Sequence, residues 1–319
     1  MPFPGMPRAC LFLIVVGSLI LPATGCGTKK PKGKTIAQQL DEARKEKTPD
    51  AQARKLVRVA RTQFRSGDKA GAGKTLAEAT GLIPADGEAV VCGPRLVEIA
   101  SLYADMEDRQ PARDVLKRAV DRAPDIGDTI SRIRLLADAG AVYGAKMGAG
   151  GVGDKTAART TLAAAVEATG TVEERFKAQA LAAIALGYAR ADLAKEAGQM
   201  VQELEASAKA VAEFRPKAEA LAAAARVRFQ TGAKDEAAQL LAEAADAAKK
   251  IEDRGIAAEN RAYALLSVAA AYLAAGDAKA AGGLLTLAEK SSSQVPDPEG
   301  QKNALDKVRA LQADAERKK

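Results

Sequence analysis

The chain has 319 residues, of which 47% are hydrophobic and 28% charged, a globular composition long enough to bury a core. It contains no histidine, which excludes histidine-dependent triads, histidine proton shuttles and histidine-ligated metal. Three scattered cysteines make neither a zinc site nor a disulfide framework, and a net charge of +7 says no more than that an anionic partner would suit it.

Residues 1–25 carry one charge, Arg8, ahead of an apolar run from Ala9 to Leu21. That run has the length of an export signal and is too short for a membrane span. It ends in LPATGC, Leu21 to Cys26, with Ala23, Thr24 and Gly25 just before the cysteine. The segment resembles the lipobox of bacterial lipoproteins, with Ala23 where that family more often has leucine. The resemblance implies cleavage before Cys26, acylation of its thiol and a stable anchor of several acyl chains. Gly27, not Asp, follows the cysteine. For a Gram-negative host the family rule then implies the periplasmic face of the outer membrane. The alternative is an ordinary secretory signal with a chance cysteine.

Residues 26–47 are expected to hold the lipidated Cys26, a lysine-rich tether and a short helix. TKKPKGK, Thr28 to Lys34, reads as a solvated spacer, its four lysines being at the low end for lipid recognition. Thr35 is placed to N-cap the short helix through Lys47.

Residues 48–293 repeat. Gly67, Glu107, Gly153, Asp192, Gly232 and Gly276 mark equivalent turns. Five residues on, alanine stands in all six copies: Ala72, Ala112, Ala158, Ala197, Ala237 and Ala281. Nine on come Leu76, Leu116, Leu162, Val201, Leu241 and Leu285. Eleven before each turn stand Leu56, Leu96, Leu136, Leu181, Leu221 and Leu265, stepping by 40, 40, 45, 40 and 44 residues. Four before stand Tyr103, Tyr143, Tyr188 and Tyr272, with Gln63 and Arg228 in the other copies. The third copy needs an insertion around Met147 to Gly153. Spacings of 3, 4 and 7 place these residues on one face of each of two helices per copy. A single hairpin cannot bury its apolar face, whereas a stack can.

The pattern resembles the tetratricopeptide repeat, including Pro84 and Pro124 at that family's proline position in the first two copies. It departs in period, mostly 40 rather than 34 residues, and has leucine at the bulky position throughout. The resemblance implies an all-α, right-handed solenoid of about six hairpins; a related helical-hairpin solenoid is the alternative. After a Ser/Pro loop, 294–319 is expected to end in a capping helix with Leu305, Val308, Leu311 and Ala315 on one side.

Letters that suggest chemistry fit this frame better as structure. GAGKT, Gly71 to Thr75, lacks the glycine a phosphate loop needs at position 68, which is Asp68. GAGGVG, Gly148 to Gly153, matches a dinucleotide fingerprint by letters but falls between paired helices, not after a strand. Cys92 has no histidine to activate it and reads as a small half-buried apolar residue. No pair of carboxylates stands out as an acid/base couple. No catalysis, cofactor, metal or nucleotide is expected.

The family resemblance further implies a concave groove lined by first helices. Carried across, its groove positions include Arg54, Arg61, Arg65, Arg134, Arg190 and Arg226, with Phe64 and Phe229 nearby for apolar contact. A basic groove of this kind suits an acidic or C-terminal peptide, held by bidentate Arg–carboxylate bonds. The plainer reading of the arginines is a solvated face. Nucleic acid is a poor partner for an exported protein without an aromatic platform. The sequence thus predicts a membrane-anchored scaffold or assembly adaptor of the envelope. A self-associating structural lipoprotein and an enzyme on a helical-repeat scaffold are the alternatives.

Overall fold

The computed structural model describes residues 34–317; the signal, Cys26 and all of the tether before Lys34 lie outside this range. The described residues hold fourteen α-helices, two short 3-10 turns and no strand. A short helix, α1 (Ile36–Arg44), precedes six hairpins. These are α2 (Pro49–Arg65) with α3 (Lys69–Gly81), α4 (Ala89–Asp105) with α5 (Arg109–Asp121), and α6 (Thr129–Gly144) with α7 (Lys155–Ala168). They continue as α8 (Glu174–Arg190) with α9 (Ala194–Ala210), α10 (Phe214–Gln230) with α11 (Lys234–Lys249), and α12 (Gly255–Ala274) with α13 (Ala278–Ser292). Helix α14 (Pro298–Arg317) packs on both α12 and α13.

The repeat columns become the core. All six leucines eleven residues before the turns are buried, as are all six alanines five residues after them. Replacing one such leucine with alanine costs about 2–5 kcal/mol. The two copies without tyrosine solve that position differently. Gln63 is buried and accepts a 2.8 Å hydrogen bond from the Thr75 hydroxyl of its own hairpin. Arg228 reaches Glu205 on α9 at 2.8 Å and Glu236 on α11 at 3.1 Å, tying two hairpins together.

The turns share one backbone conformation. The equivalent residue has positive φ in all six copies: 90° at Gly67, 58° at Glu107, 74° at Gly153, 56° at Asp192, 92° at Gly232 and 83° at Gly276. Glycine adopts this left-handed region freely, whereas Glu107 and Asp192 occupy it against a steric cost. The next residue caps the second helix in three copies. Asp68, Asp154 and Asp277 accept from the backbone N–H of Gly71, Ala157 and Ala280. Asp108 makes no such bond. The short N-terminal helix ends at Arg44 rather than Lys47, because Thr48 caps a new helix whose first residue is Pro49.

Curvature follows from which helices touch. Each first helix packs on the next first helix, from α2 through α12, while second helices pack on their own partner and the following first helix. The array therefore bends toward the first helices. Small residues permit the closeness: a β-carbon on Gly144 would stand 2.8 Å from the Ala191 carbonyl oxygen.

Candidate functional site

The concave face is built from α2, α4, α6, α8, α10 and α12, and it is not uniform. At the N-terminal end the arginines are matched by acids. Arg54 pairs with Asp50 one turn earlier on α2. Arg61 reaches Glu98 on α4 at 3.1 Å, and Arg95 also binds Glu98. Arg65 is exposed at the last position of α2. Phe64 packs against the core, and Phe229 lies under the Lys234 ammonium, 5.9 Å from its ring centre. Neither phenylalanine lines the concave cavities described below.

The glycine-rich insertion covers part of this end. Between α6 and α7 the chain folds back on α4. Gly148 donates its N–H to the Ala104 carbonyl at 3.2 Å, and the Ser101 hydroxyl donates to the Gly150 carbonyl at 3.4 Å. Val152 is fully buried, and its N–H bonds the Val142 carbonyl at 2.8 Å. Asp105, beside Gly150, is raised above the usual carboxylate range by burial, against the pull of the Gly150 N–H and Arg61. Ser101 and Asp105 are groove positions of the second hairpin, so the loop covers one side of them, while both still line a 260 Å³ cavity with Arg61 and Arg190. The GAGKT letters lie inside α3, where Asp68 already holds the helix N-terminus.

The far end is closed by α14. Lys307 lies over the Tyr263 ring at 4.4 Å, and the Arg215 guanidinium approaches the same ring at 5.3 Å. Tyr263 is the first groove position of the sixth hairpin.

Between these closures the face is open. A cavity of about 840 Å³ spans the starts of α8, α10 and α12. Its floor includes Ala182, Ala183 and Leu186, and Phe176 and Phe214 stand at its rim, 39% and 43% exposed. Arg215 is fixed there, donating to Glu219 at 2.9 Å and to the Asn260 side-chain oxygen at 2.6 Å. Arg175 pairs with Glu173 at 2.8 Å and lies 4.6 Å from the Phe176 ring centre. Next to it a 140 Å³ cavity brings together Arg134, Arg190 and Arg226, each from a different first helix. Arg190 binds Asp138 on α6 at 3.1 Å. Arg226 is half-buried; burial first, then Arg190, lower its guanidinium pKa.

Of the eight groove residues the sequence suggested, the structure brings Arg134, Arg190 and Arg226 into one cavity. Arg61 shares a separate 260 Å³ cavity with Arg190, and Arg54 and Arg65 stand apart from both. Phe176 and Phe214 were missed. Their only signal was a large aromatic residue in the first turn of a first helix, outside the repeat columns.

Among the described residues no cluster of metal-binding side chains occurs, and no helix is long and apolar enough to cross a membrane. Cys92 is half-buried and free.

No family model matches the chain, and no curated protein does. Among solved structures it is similar to Ton1535 from Thermococcus onnurineus NA1, with 14% identity, a TM-score of 0.42, and 84% of this chain and 94% of that one covered. It is also similar to a Rap protein complexed with competence and sporulation factor, with 12% identity, a TM-score of 0.36, and coverage of 88% and 80%.

Proposed function

We propose that this chain is a non-catalytic interaction protein of the bacterial envelope, anchored through lipid on Cys26. It holds a segment of a protein partner on the concave face between α6 and α12. The observation that carries this reading is the open 840 Å³ cavity with Phe176 and Phe214 exposed at its rim. Such a surface gains apolar burial from a partner without needing new covalent chemistry. Arg134, Arg190 and Arg226 alongside it favour acidic groups on that partner.

Capture from envelope extract tests it. The full chain is compared with Phe176→Glu plus Phe214→Glu, and separately with Arg54→Glu plus Arg65→Glu. The reading expects the aromatic pair to lose the partner and the arginine pair to keep it, with equal helical circular dichroism. Equal capture by all three would place binding elsewhere and sink the proposal. Acylation is read by mass spectrometry of the N-terminal peptide, with Cys26→Ser expected to abolish the lipid adduct.

A second reading, self-association, is favoured by exposed apolar side chains at several helix starts: Val90, Val91, Phe176, Phe214 and Ile256. Sedimentation over a hundred-fold concentration range separates the two, since only self-association predicts a rising mass.

A further inference from the structure

The cavity beside the apolar site has an unbalanced charge. Its lining includes three guanidiniums, Arg134 on α6, Arg190 on α8 and Arg226 on α10, and one carboxylate, Asp138. Asp138 is bound to Arg190 at 3.1 Å. The rest of the lining is Ala137, Ala183, Leu186 and Gly187, none of them charged. Among the described residues Arg226 makes no ion pair, and its Nε is buried without a hydrogen-bond partner. A half-buried cation with no counter-charge, next to a second cation, is unfavourable unless an anion joins it.

We propose that Arg134, Arg190 and Arg226 form a pocket for a phosphoryl group, either free phosphate or a phosphate monoester. Size supports this: 140 Å³ accommodates a few waters, at about 30 Å³ each in the liquid, or one tetrahedral oxyanion. Charge supports it as well. A phosphate monoester carries about −1.5 to −2 near pH 7, which balances three arginines less one aspartate, whereas a lone carboxylate leaves an excess of cation. Guanidiniums offer paired donors to phosphate oxygens, and here they converge from three helices. The pocket opens toward the larger cavity, with which it shares Arg134, Ala183 and Leu186. An ester's organic body therefore has an apolar surface beside its phosphate.

The pocket adjoins the partner-segment surface and uses the same three arginines, but its test is read separately. The full chain in mild detergent is titrated calorimetrically with inorganic phosphate, phenyl phosphate and acetate at pH 7.5 and fixed ionic strength. Both phosphates are expected to bind about ten-fold or more tighter than acetate. Arg226→Gln and Arg190→Gln are each expected to weaken phosphate about ten-fold or more. Arg190 is exposed, so its variant carries the test even if Arg226→Gln fails to fold. Binding should weaken at pH 5.5, where phosphate loses its second charge. Tighter phenyl phosphate identifies an ester as the ligand; equal affinities identify the free ion. Phosphates no tighter than acetate, or folded arginine variants that bind as the parent does, would overturn the proposal. The Phe176 and Phe214 variants retain all three arginines, so loss of partner capture and loss of phosphate binding are separable.

Discussion

Gly187 on α8 lies so close to α6 that a β-carbon added to it would stand 3.0 Å from the Ala137 carbonyl oxygen and 2.8 Å from Leu162 Cδ2. This contact sets the spacing of the third and fourth hairpins just beneath the arginine pocket. Gly187→Ala adds helix propensity worth up to about 1 kcal/mol. It also forces the helices apart, and overpacking costs about 1–3 kcal/mol. The expected net result in urea melts is destabilisation, with a larger loss for Gly187→Val. A gain for the alanine variant would show that the approach is slack.

Glu107 occupies the left-handed position that glycine fills in four of the six turns. Glu107→Gly should relieve strain of about 1–2 kcal/mol, partly offset by the greater freedom of glycine in the unfolded chain. A rise of a few degrees in melting temperature is expected. Gly232→Glu at the equivalent turn should shift it the other way.

Asp154 links the insertion to two helices. It accepts from the Ala157 N–H at 3.0 Å and binds Arg113 on α5. Asp154→Ala removes a cap and an inter-hairpin bond, an expected loss of about 1–2 kcal/mol. Asp154→Asn retains an acceptor for the Ala157 N–H, so it should lose less than alanine. Equal losses in thermal melts would assign the effect to charge alone.

The pH dependence has a definite shape. The Ala157 N–H, with help from Arg113, holds Asp154 below the usual carboxylate range. Hydrogen bonds from Ser131, Arg44 and Arg159 do the same for Asp128, Glu78 and Glu196. Their stabilisation is complete above the unfolded carboxylate range near pH 4 and is lost as pH falls through the lower folded values. Asp105, raised by burial, contributes in the opposite sense. Burial raises Tyr103, Tyr143, Tyr188 and Tyr272. Stability associated with these phenols is full below about pH 10 and falls as pH rises further. With no histidine in the chain, urea midpoints should be flat from about pH 6 to 9 and fall on both sides. A step between pH 6 and 7 would contradict this.

The fold was legible because its determinants are local and repeated. Leu56, Leu96 and their equivalents recur at helical spacing, and the turn column proved to share one φ region even where glycine is absent. The open part of the concave face was only partly legible. Position alone put Arg61 and Arg226 in the same class. Neutralisation of Arg61 by Glu98, 37 residues away, is a tertiary fact that repeat register does not encode. Nor did the letters of Gly148 to Gly153 reveal that the loop returns to α4 and bonds Ser101 and Asp105. That depends on Val152 finding a buried site.

The two closures also impose a ruler. Between the insertion on α4 and Lys307 over Tyr263, the stretch that holds the two cavities beside Arg134 crosses α6, α8, α10 and the near edge of α12. Neighbouring helix axes lie about 8–10 Å apart, so this span is about 24–30 Å. An extended chain advances about 3.3 Å per residue, and roughly seven to nine residues fill the distance. On the reading proposed above, a surface of that length suits a short linear segment, chosen by its length before any side chain is read.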